Sequence, residues 1–285
     1  MNLKIKRYIS QFFFLIFANL GFKINTFFNG KTGFCYPFFY CHSCPTATSA
    51  CPIRAIENGV YKTGLDPSKI NWKLILFPIV IIGFIGTITG RAVCGWACPI
   101  GLLQRVTGKF AIKLRKFDII RRFENHKIEG YLRYAKYIVF IGLIIISTPF
   151  FAFMFTNICP VGFLVGTIPI SILNPGAYYP SEFFNLALII FILFIILIFL
   201  IERGWCKYFC PVGAMLAPFN KISIYHINVE KDRCVHCNLC SKVCPMGIDV
   251  PNMNRDPECI LCGKCIPACP KNIITFKKTI GGDGK

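Results

Sequence analysis

A chain of 285 residues that is 54% hydrophobic, with 29 Phe and long uncharged runs, falls in the membrane class and not among ordinary soluble domains. Its formal net charge of +19 would suggest nucleic acid in a soluble protein, but the Lys and Arg flank the apolar runs, where topology accounts for them, so no nucleic-acid partner is expected. Seventeen Cys, most of them in short spacings that end in Cys-Pro, exclude a small disulfide scaffold and point to thiolate ligation of iron.

The first predicted helix, Tyr8 to Phe28, is interrupted by Asn19 and Lys23, yet it has a Phe-rich centre and a flank of Lys4, Lys6 and Arg7. No small-residue cleavage site follows, so a retained helix is expected. The next loop holds Cys35 and the stretch YCHSCPTATSACP, in which Cys41, Cys44 and Cys51 are spaced like ligands. Leu74 to Gly90 is apolar and long enough to cross a bilayer, which takes roughly 20 residues of helix. CGWACPIG follows at once and sets Cys94 and Cys98 in a Cys-x3-Cys-Pro site. Ile100, Leu103, Phe110, Leu114 and Phe117 then recur at helical spacing opposite Arg105, Lys109, Lys113 and Lys116, which predicts a helix lying on the membrane surface. Tyr137 to Phe155 is a further span, and Cys159 opens the loop beyond it. Val161 to Leu173 is apolar but only thirteen residues long, which suits a re-entrant or partly buried helix better than a full crossing. The last span, Phe183 to Ile201, runs into WCKYFCPVG, with Cys206 and Cys210 in a second Cys-x3-Cys-Pro site.

Charge sets the orientation. Arg91 to Lys136 contains eleven Lys and Arg, the tail from Arg203 onward contains twelve, and Thr156 to Glu182 contains none. The positive-inside rule therefore predicts an integral cytoplasmic (inner) membrane protein with four helices and both termini in the cytoplasm. Asn29 to Asn71 and Asn157 to Ser181 then face outward, with membrane lipid around the spans.

The tail carries the strongest pattern in the chain. Cys234, Cys237, Cys240 and Cys244-Pro repeat as Cys259, Cys262, Cys265 and Cys269-Pro, each a full bacterial ferredoxin run. In such runs three thiolates wrap one cubane and the fourth crosses to the other. The expected ligand sets are Cys234, Cys237, Cys240 and Cys269 for one [4Fe-4S] cluster, and Cys259, Cys262, Cys265 and Cys244 for the second. Zinc is the alternative, but it prefers separated pairs of ligands. Ile222 to Val229 and Ile273 to Phe276 predict two short flanking strands, and His236 is expected to tune potential without ligating.

Cys94, Cys98, Cys206 and Cys210 would supply four thiolates at one depth, enough for a third cubane at the inner membrane face; a redox disulfide is the alternative. Aligning CPIRAI, CPIGLL, CPVGFL and CPVGAM shows two helix pairs in tandem, with 47 residues from Cys51 to Cys98 and 51 from Cys159 to Cys210. A two-fold pseudo-repeat brings equivalent motifs together on each side. Cys41, Cys44, Cys51 and Cys159 could then hold a fourth, outer cluster, with disulfides as the rival reading and Cys35 left over.

From Trp72 to Phe276, the paired Cys-x3-Cys-Pro motifs followed by a double ferredoxin run resemble the NapH-type polytopic iron-sulfur proteins. The related membrane parts of nitrous-oxide-reductase regulators and methylamine-utilisation proteins share the pattern. The resemblance implies membrane electron transfer between a quinol-type carrier or a ferredoxin and a redox partner protein. The Cys-rich outward loop departs from that pattern. His is absent from every predicted span, which argues against a bis-histidine haem, and no Asp, Glu or Arg lies deep in one, which argues against an ion path. Nucleotide-binding glycine motifs are missing, and Gly83, Gly86, Gly90, Gly162 and Gly166 are expected to serve helix packing.

The expected fold is thus an α-helical membrane bundle over residues 1–220 and a small α+β double-cluster ferredoxin domain over 221–285. The expected function is electron conduction between cytoplasmic and extracytoplasmic redox partners, as a component of an oxidoreductase. Two alternatives stand beside it: a quinol dehydrogenase subunit with electrons confined to one side, and an iron-sulfur redox sensor or assembly protein. A hydrocarbon core about 30 Å thick is too wide for direct tunnelling, so clusters must sink into the bundle or a quinone-type carrier must intervene.

Overall fold

The computed structural model describes residues 3–19, 51–63, 66–114, 127–173 and 182–278. Cys35, Cys41, Cys44, Phe117 and the second half of the first predicted helix lie outside the described residues. Helix α1 (Leu3–Asn19) forms on the first apolar run. After Cys51 comes α2 (Pro52–Val60), started by a proline whose fixed φ suits the first helical position and whose missing N–H is not needed there. Helix α3 (Trp72–Thr89) buries Pro78, Ile82 and Gly86, one stripe at a spacing of four, and turns Leu74, Phe77, Val80 and Phe84 outward. The short α4 (Ala92–Trp96) and then α5 (Pro99–Leu114) follow it.

The run Glu129–Phe151, α6, passes through a π-helical stretch at Val139–Ser147 and stops where Ala152 turns left-handed at φ 55°. Helix α7 covers residues 160–173 and is likewise π-helical over Phe163–Thr167. Helix α8 (Phe184–Leu200) buries Ala187, Phe194 and Ile198 and is followed by α9 (Gly204–Tyr208) and α10 (Pro211–Leu216). Among the described residues, α3 with 18 residues and α6 with 23 are long and apolar enough to cross a membrane, while α8 has 17. Only 17% of the α3 span and 22% of the α6 span is buried, the reverse of a soluble core helix.

The predicted surface helix is not one. Helix α5 packs between α1 and α8, and its buried side carries Gln104, Arg105 and Gly108. Arg105, expected in solvent, is 6% exposed and donates from Nη2 to the Gly95 carbonyl at 2.8 Å. The apolar spacing had been assigned to lipid, but Gly101 and Gly108 give this helix a smooth face on which Arg203 and Glu202 lie.

In the C-terminal segment the two expected strands pair antiparallel as β1 (Tyr225–Val229) and β2 (Ile274–Lys278), with Ile227 opposite Phe276. Ile227, Ile273 and Ile274 are buried against Cys240 and Cys265. Phe219, just before β1, fills the glycine notch of α3: a Cβ at Gly86 would come 2.7 Å from its Cγ. Gly86→Ala should therefore lower stability by about 1–3 kcal/mol through overpacking, read as a fall in the thermal midpoint. Gly142→Ala, where a Cβ meets nothing within 4 Å, should not.

Candidate metal centres

Cys94 lies in α4 and Cys206 in α9, while Cys98 and Cys210 each precede the proline that starts α5 and α10. That start leaves an N–H free to face the sulfur: Gly213 donates to Cys210 Sγ at 3.4 Å, and Gly101 stands in the same relation to Cys98. All four thiols are buried, and each is within electrostatic range of the other three. Burial pushes the thiols of Cys94 and Cys210 up and that of Cys98 up to about 12, with Arg91 and Arg203 opposing the rise at Cys94. Gln104 Nε2 donates to Cys206 Sγ at 3.2 Å.

The two arginines cross between the halves of the repeat. Arg203, from the second half, donates to the Cys94 carbonyl at 2.8 Å and lies over Gly101 of the first Cys-Pro-x-Gly turn. Arg91, from the first half, lies over Gly213 of the second. A Cβ at Gly101 would come 2.7 Å from Arg203 Nη1, and one at Gly213 would come 3.0 Å from Arg91 Nη2. Both arginines are all but fully buried.

The C-terminal cysteines divide into two cavities. Cys244, Cys259, Cys262 and Cys265 line one. Cys234, Cys237, Cys240 and Cys269 line the other. Each cavity draws three cysteines from one run and the fourth from the other. The loops are shaped by left-handed residues at equivalent places: His236 and Asn238 flank Cys237 as Leu261 and Gly263 flank Cys262, and Gly247 and Asn272 follow the two Cys-Pro turns. Gly and Asn take that conformation at little cost.

The first of these cavities abuts the four thiols of the bundle. Trp96, between Cys94 and Cys98, donates from Nε1 at 2.9 Å to the carbonyl of Leu261, between Cys259 and Cys262. Gly95 lies so close to the Ile260 carbonyl that a Cβ would overlap it. Asn220 accepts from the Arg91 N–H at 2.7 Å and donates to the Cys259 carbonyl at 2.6 Å. Arg91 Nη1 reaches Glu258 at 2.9 Å, and Lys136 pairs with the same carboxylate. Lys207 with Glu129, and Lys264 with Glu202, complete a ring of buried or half-buried ion pairs. Arg7 of α1 donates to the Cys262 carbonyl. Burial works to raise the Glu258 carboxyl, but Arg91 and Lys136 outweigh it and hold the group below its ordinary 4.5.

Cys51 and Cys159 are 4% and 7% exposed and belong to the same apolar cluster as Cys94, Cys98 and Cys210. Gly59 of α2 meets Asn71 and Ile75 at the start of α3, yet α2 also touches α10, so it runs back into the bundle. It is tied to the segment before Cys159 by Arg54, which donates to Thr156 Oγ1 at 2.8 Å, and by Glu57, which accepts from the same hydroxyl. Phe163 stacks on Phe191 halfway along α8, with ring centres 5.0 Å apart. Cys159 Sγ accepts from Gly162 N–H at 3.4 Å, the same turn as at Cys210.

A 4Fe-4S binding domain family matches residues 70–117 and 185–227, and a 4Fe-4S dicluster domain family matches 215–281. An uncharacterised protein of Methanocaldococcus jannaschii is 30% identical over 71% of this chain and 78% of its own length. The ferredoxin-type protein NapH of Escherichia coli is 25% identical over 69% and 66%, respectively. The methylamine utilization ferredoxin-type protein MauN of Methylorubrum extorquens is 27% identical over 77% and 71%. The chain belongs to the NapH-type iron-sulfur family. No solved structure matches it.

The donor sets of this NapH-type chain suit iron-sulfur clusters. Among the described residues no three Cys, His, Asp or Glu side chains converge on a point as ligands of a single metal ion do. Thiols spread around a cavity wall match a cluster that takes one ligand per corner, and not mononuclear zinc. The buried Arg91 Nη2, beside Gly213, has no hydrogen-bond acceptor among the described residues, and an anionic cluster would supply one. Thiols held neutral by burial ionise when a metal provides the opposing charge.

Sequence reading missed Arg91, Arg203, Lys136, Glu258 and Asn220, because it spent the basic residues on topology. A signal was there: Arg-x2-Cys-x3-Cys-Pro-x-Gly occurs in both halves. Arg91→Met should cost about 3–5 kcal/mol, since it strips one partner from a buried carboxylate; the thermal midpoint reads it. The depressed Glu258 pKa implies stability that is full above pH 4.5 and is lost as pH falls through the folded value. Glu258→Gln should flatten that acid limb of an unfolding curve.

Proposed function

We propose that the protein is a membrane-embedded electron conduit, with two [4Fe-4S] clusters in the C-terminal segment and a third at the end of the bundle. One observation carries the reading: the eight C-terminal cysteines sort into two crossed sets of four, and one set is hydrogen-bonded through Trp96 and Leu261 to four more buried thiols. Bound clusters would supply one-electron redox chemistry at low reorganisation. The chain's own residues do the rest. Cys259, Cys262, Cys265 and Cys244 hold the proximal site; Cys234, Cys237, Cys240 and Cys269 hold the distal one; Cys94, Cys98, Cys206 and Cys210 hold the site in the bundle. Arg91, Arg203 and the Gly101 and Gly213 N–H groups offset the negative charge gathered there. Apolar side chains exposed along α1, α3, α6 and α8 support placement of the bundle in lipid.

The re-entrant placement of α2 and α7 supports a fourth site on Cys51 and Cys159, completed by Cys41 and Cys44 from outside the described residues. Helices that break off inside a bundle and aim their N-termini at a buried anion are a membrane-protein device. On this reading electrons pass between a partner on the cytoplasmic side, where the C-terminal segment lies, and one on the outer side.

Iron and acid-labile sulfide counts on anaerobically purified protein test it. Three cubanes give about 12 Fe per chain and four give about 16. Cys210→Ser should remove about four irons, and Cys159→Ser another four if the outer site exists. A count near eight that Cys210→Ser leaves unchanged would sink the bundle site.

A further inference from the structure

The distal cavity has exposed residues in its wall, and the proximal one has none. Among the described cysteines Cys237 alone is exposed, and the five residues from 235 to 239 around it are exposed throughout. Val235, 56% exposed, is part of the cavity wall, and Leu239 and Val243, 45% and 40% exposed, follow in the same run between Cys237 and Cys244. Pro270 and Lys271 form another part of the wall and are exposed as well.

Charge around this mouth is one-sided. Exposed Lys231, Arg233, Lys242 and Lys271 stand against Glu230 and Asp232. Arg233 and Glu230 pair at 3.1 Å on the surface and cancel each other locally. Of the other described carboxylates of the segment, Glu258 pairs with Arg91 and Lys136, Asp249 accepts from Asn252 and Asp256 from the Glu258 N–H, and none lines the distal cavity. The segment meets the bundle through residues 256–264 and at Ile224, Met246, Gly247 and Ile248, none of which lines the distal cavity. An apolar centre with a basic rim, over a thiol cavity, has the composition of a transient protein interface that steers a negative partner.

We propose that this mouth is the docking surface of a small soluble one-electron carrier protein whose own redox centre is rimmed by carboxylates. The proposal rests on the iron-sulfur reading above. Cys234, Cys237, Cys240 and Cys269 would hold the cluster that exchanges one electron with the carrier, one centre being oxidised as the other is reduced, with no bond or proton changing hands. Lys231, Lys242 and Lys271 steer the encounter, and Val235, Leu239 and Val243 exclude water from the contact.

The test uses the full holoprotein in detergent with an acidic bacterial two-cluster ferredoxin as probe and basic cytochrome c as control. Stopped-flow association with the ferredoxin should fall roughly tenfold or more between low and high salt. Lys231→Glu, Lys242→Glu and Lys271→Glu together should slow it by a similar factor at low salt, with iron content unchanged. Val235→Ser with Leu239→Ser should raise the dissociation rate and leave association alone. A triple variant that keeps its iron and binds ferredoxin at the wild-type rate overturns the proposal. So does wild-type protein that binds cytochrome c as tightly, or a triple variant that loses only adhesion to phosphatidylserine vesicles, which would make the patch a lipid contact. Iron counts on the same samples separate the failures: full iron without salt-sensitive binding sinks the docking surface alone, whereas an iron-free wild type sinks the iron-sulfur reading itself.

Discussion

Four thiolates gathered in a buried site repel one another, and the fold is arranged around compensating them. Desolvation alone would keep Cys94, Cys98 and Cys210 neutral. Arg91 and Arg203 oppose that effect at Cys94 without cancelling it, and each comes from the half of the chain opposite the glycine turn it covers. Two buried guanidinium groups are themselves unstable without anions. Glu258 meets Arg91 from the C-terminal segment, and Lys136 shares that carboxylate. Compensation therefore runs outward from the thiols to the arginines and from the arginines to the docked segment. The C-terminal segment sits where it does because the charge of the bundle site has to end somewhere.

The same logic explains why the bundle is not a plain four-helix array. A plain array of spanning helices would leave Cys51 and Cys159 at its outer rim. Instead α2 and α7 are short, begin at prolines, and carry those cysteines inward until they share an apolar cluster with the other thiols. Arg54, Glu57 and Thr156 tie the two pieces together, so Cys51 and Cys159 are held by polar contacts and not by packing alone.

Local patterns were legible. The ferredoxin runs named both crossed cysteine groups, and alternation at Ile222 to Val229 named β1, because ligand spacing and strand period are properties of a few consecutive residues. Hydropathy found the helices at Leu74 to Gly90 and Phe183 to Ile201 for the same reason. What failed was anything that depends on a distant partner. Arg105 reads as solvent-facing because its own helix is amphipathic; its burial follows from the Tyr8 ring of α1 and the Gly95 carbonyl, which lie 97 and 10 residues away in sequence. Lys136 and Arg91 looked like topology signals, since a positive charge beside an apolar run is ambiguous until a carboxylate 122 or 167 residues away is seen against it.

The two C-terminal sites, alike in sequence, are made unlike by what covers them. The proximal set has the Arg7 guanidinium on the Cys262 carbonyl, Asn220 on the Cys259 carbonyl and Trp96 on the Leu261 carbonyl. The distal set has exposed residues 235–239 around Cys237 and exposed Lys271 in its wall. Hydrogen bonds, nearby charge and solvent access are the means by which a protein shifts cluster potentials. Donors directed at the proximal loop favour added negative charge there. The same contacts that hold the segment in place thus also set the surroundings of the proximal cysteines.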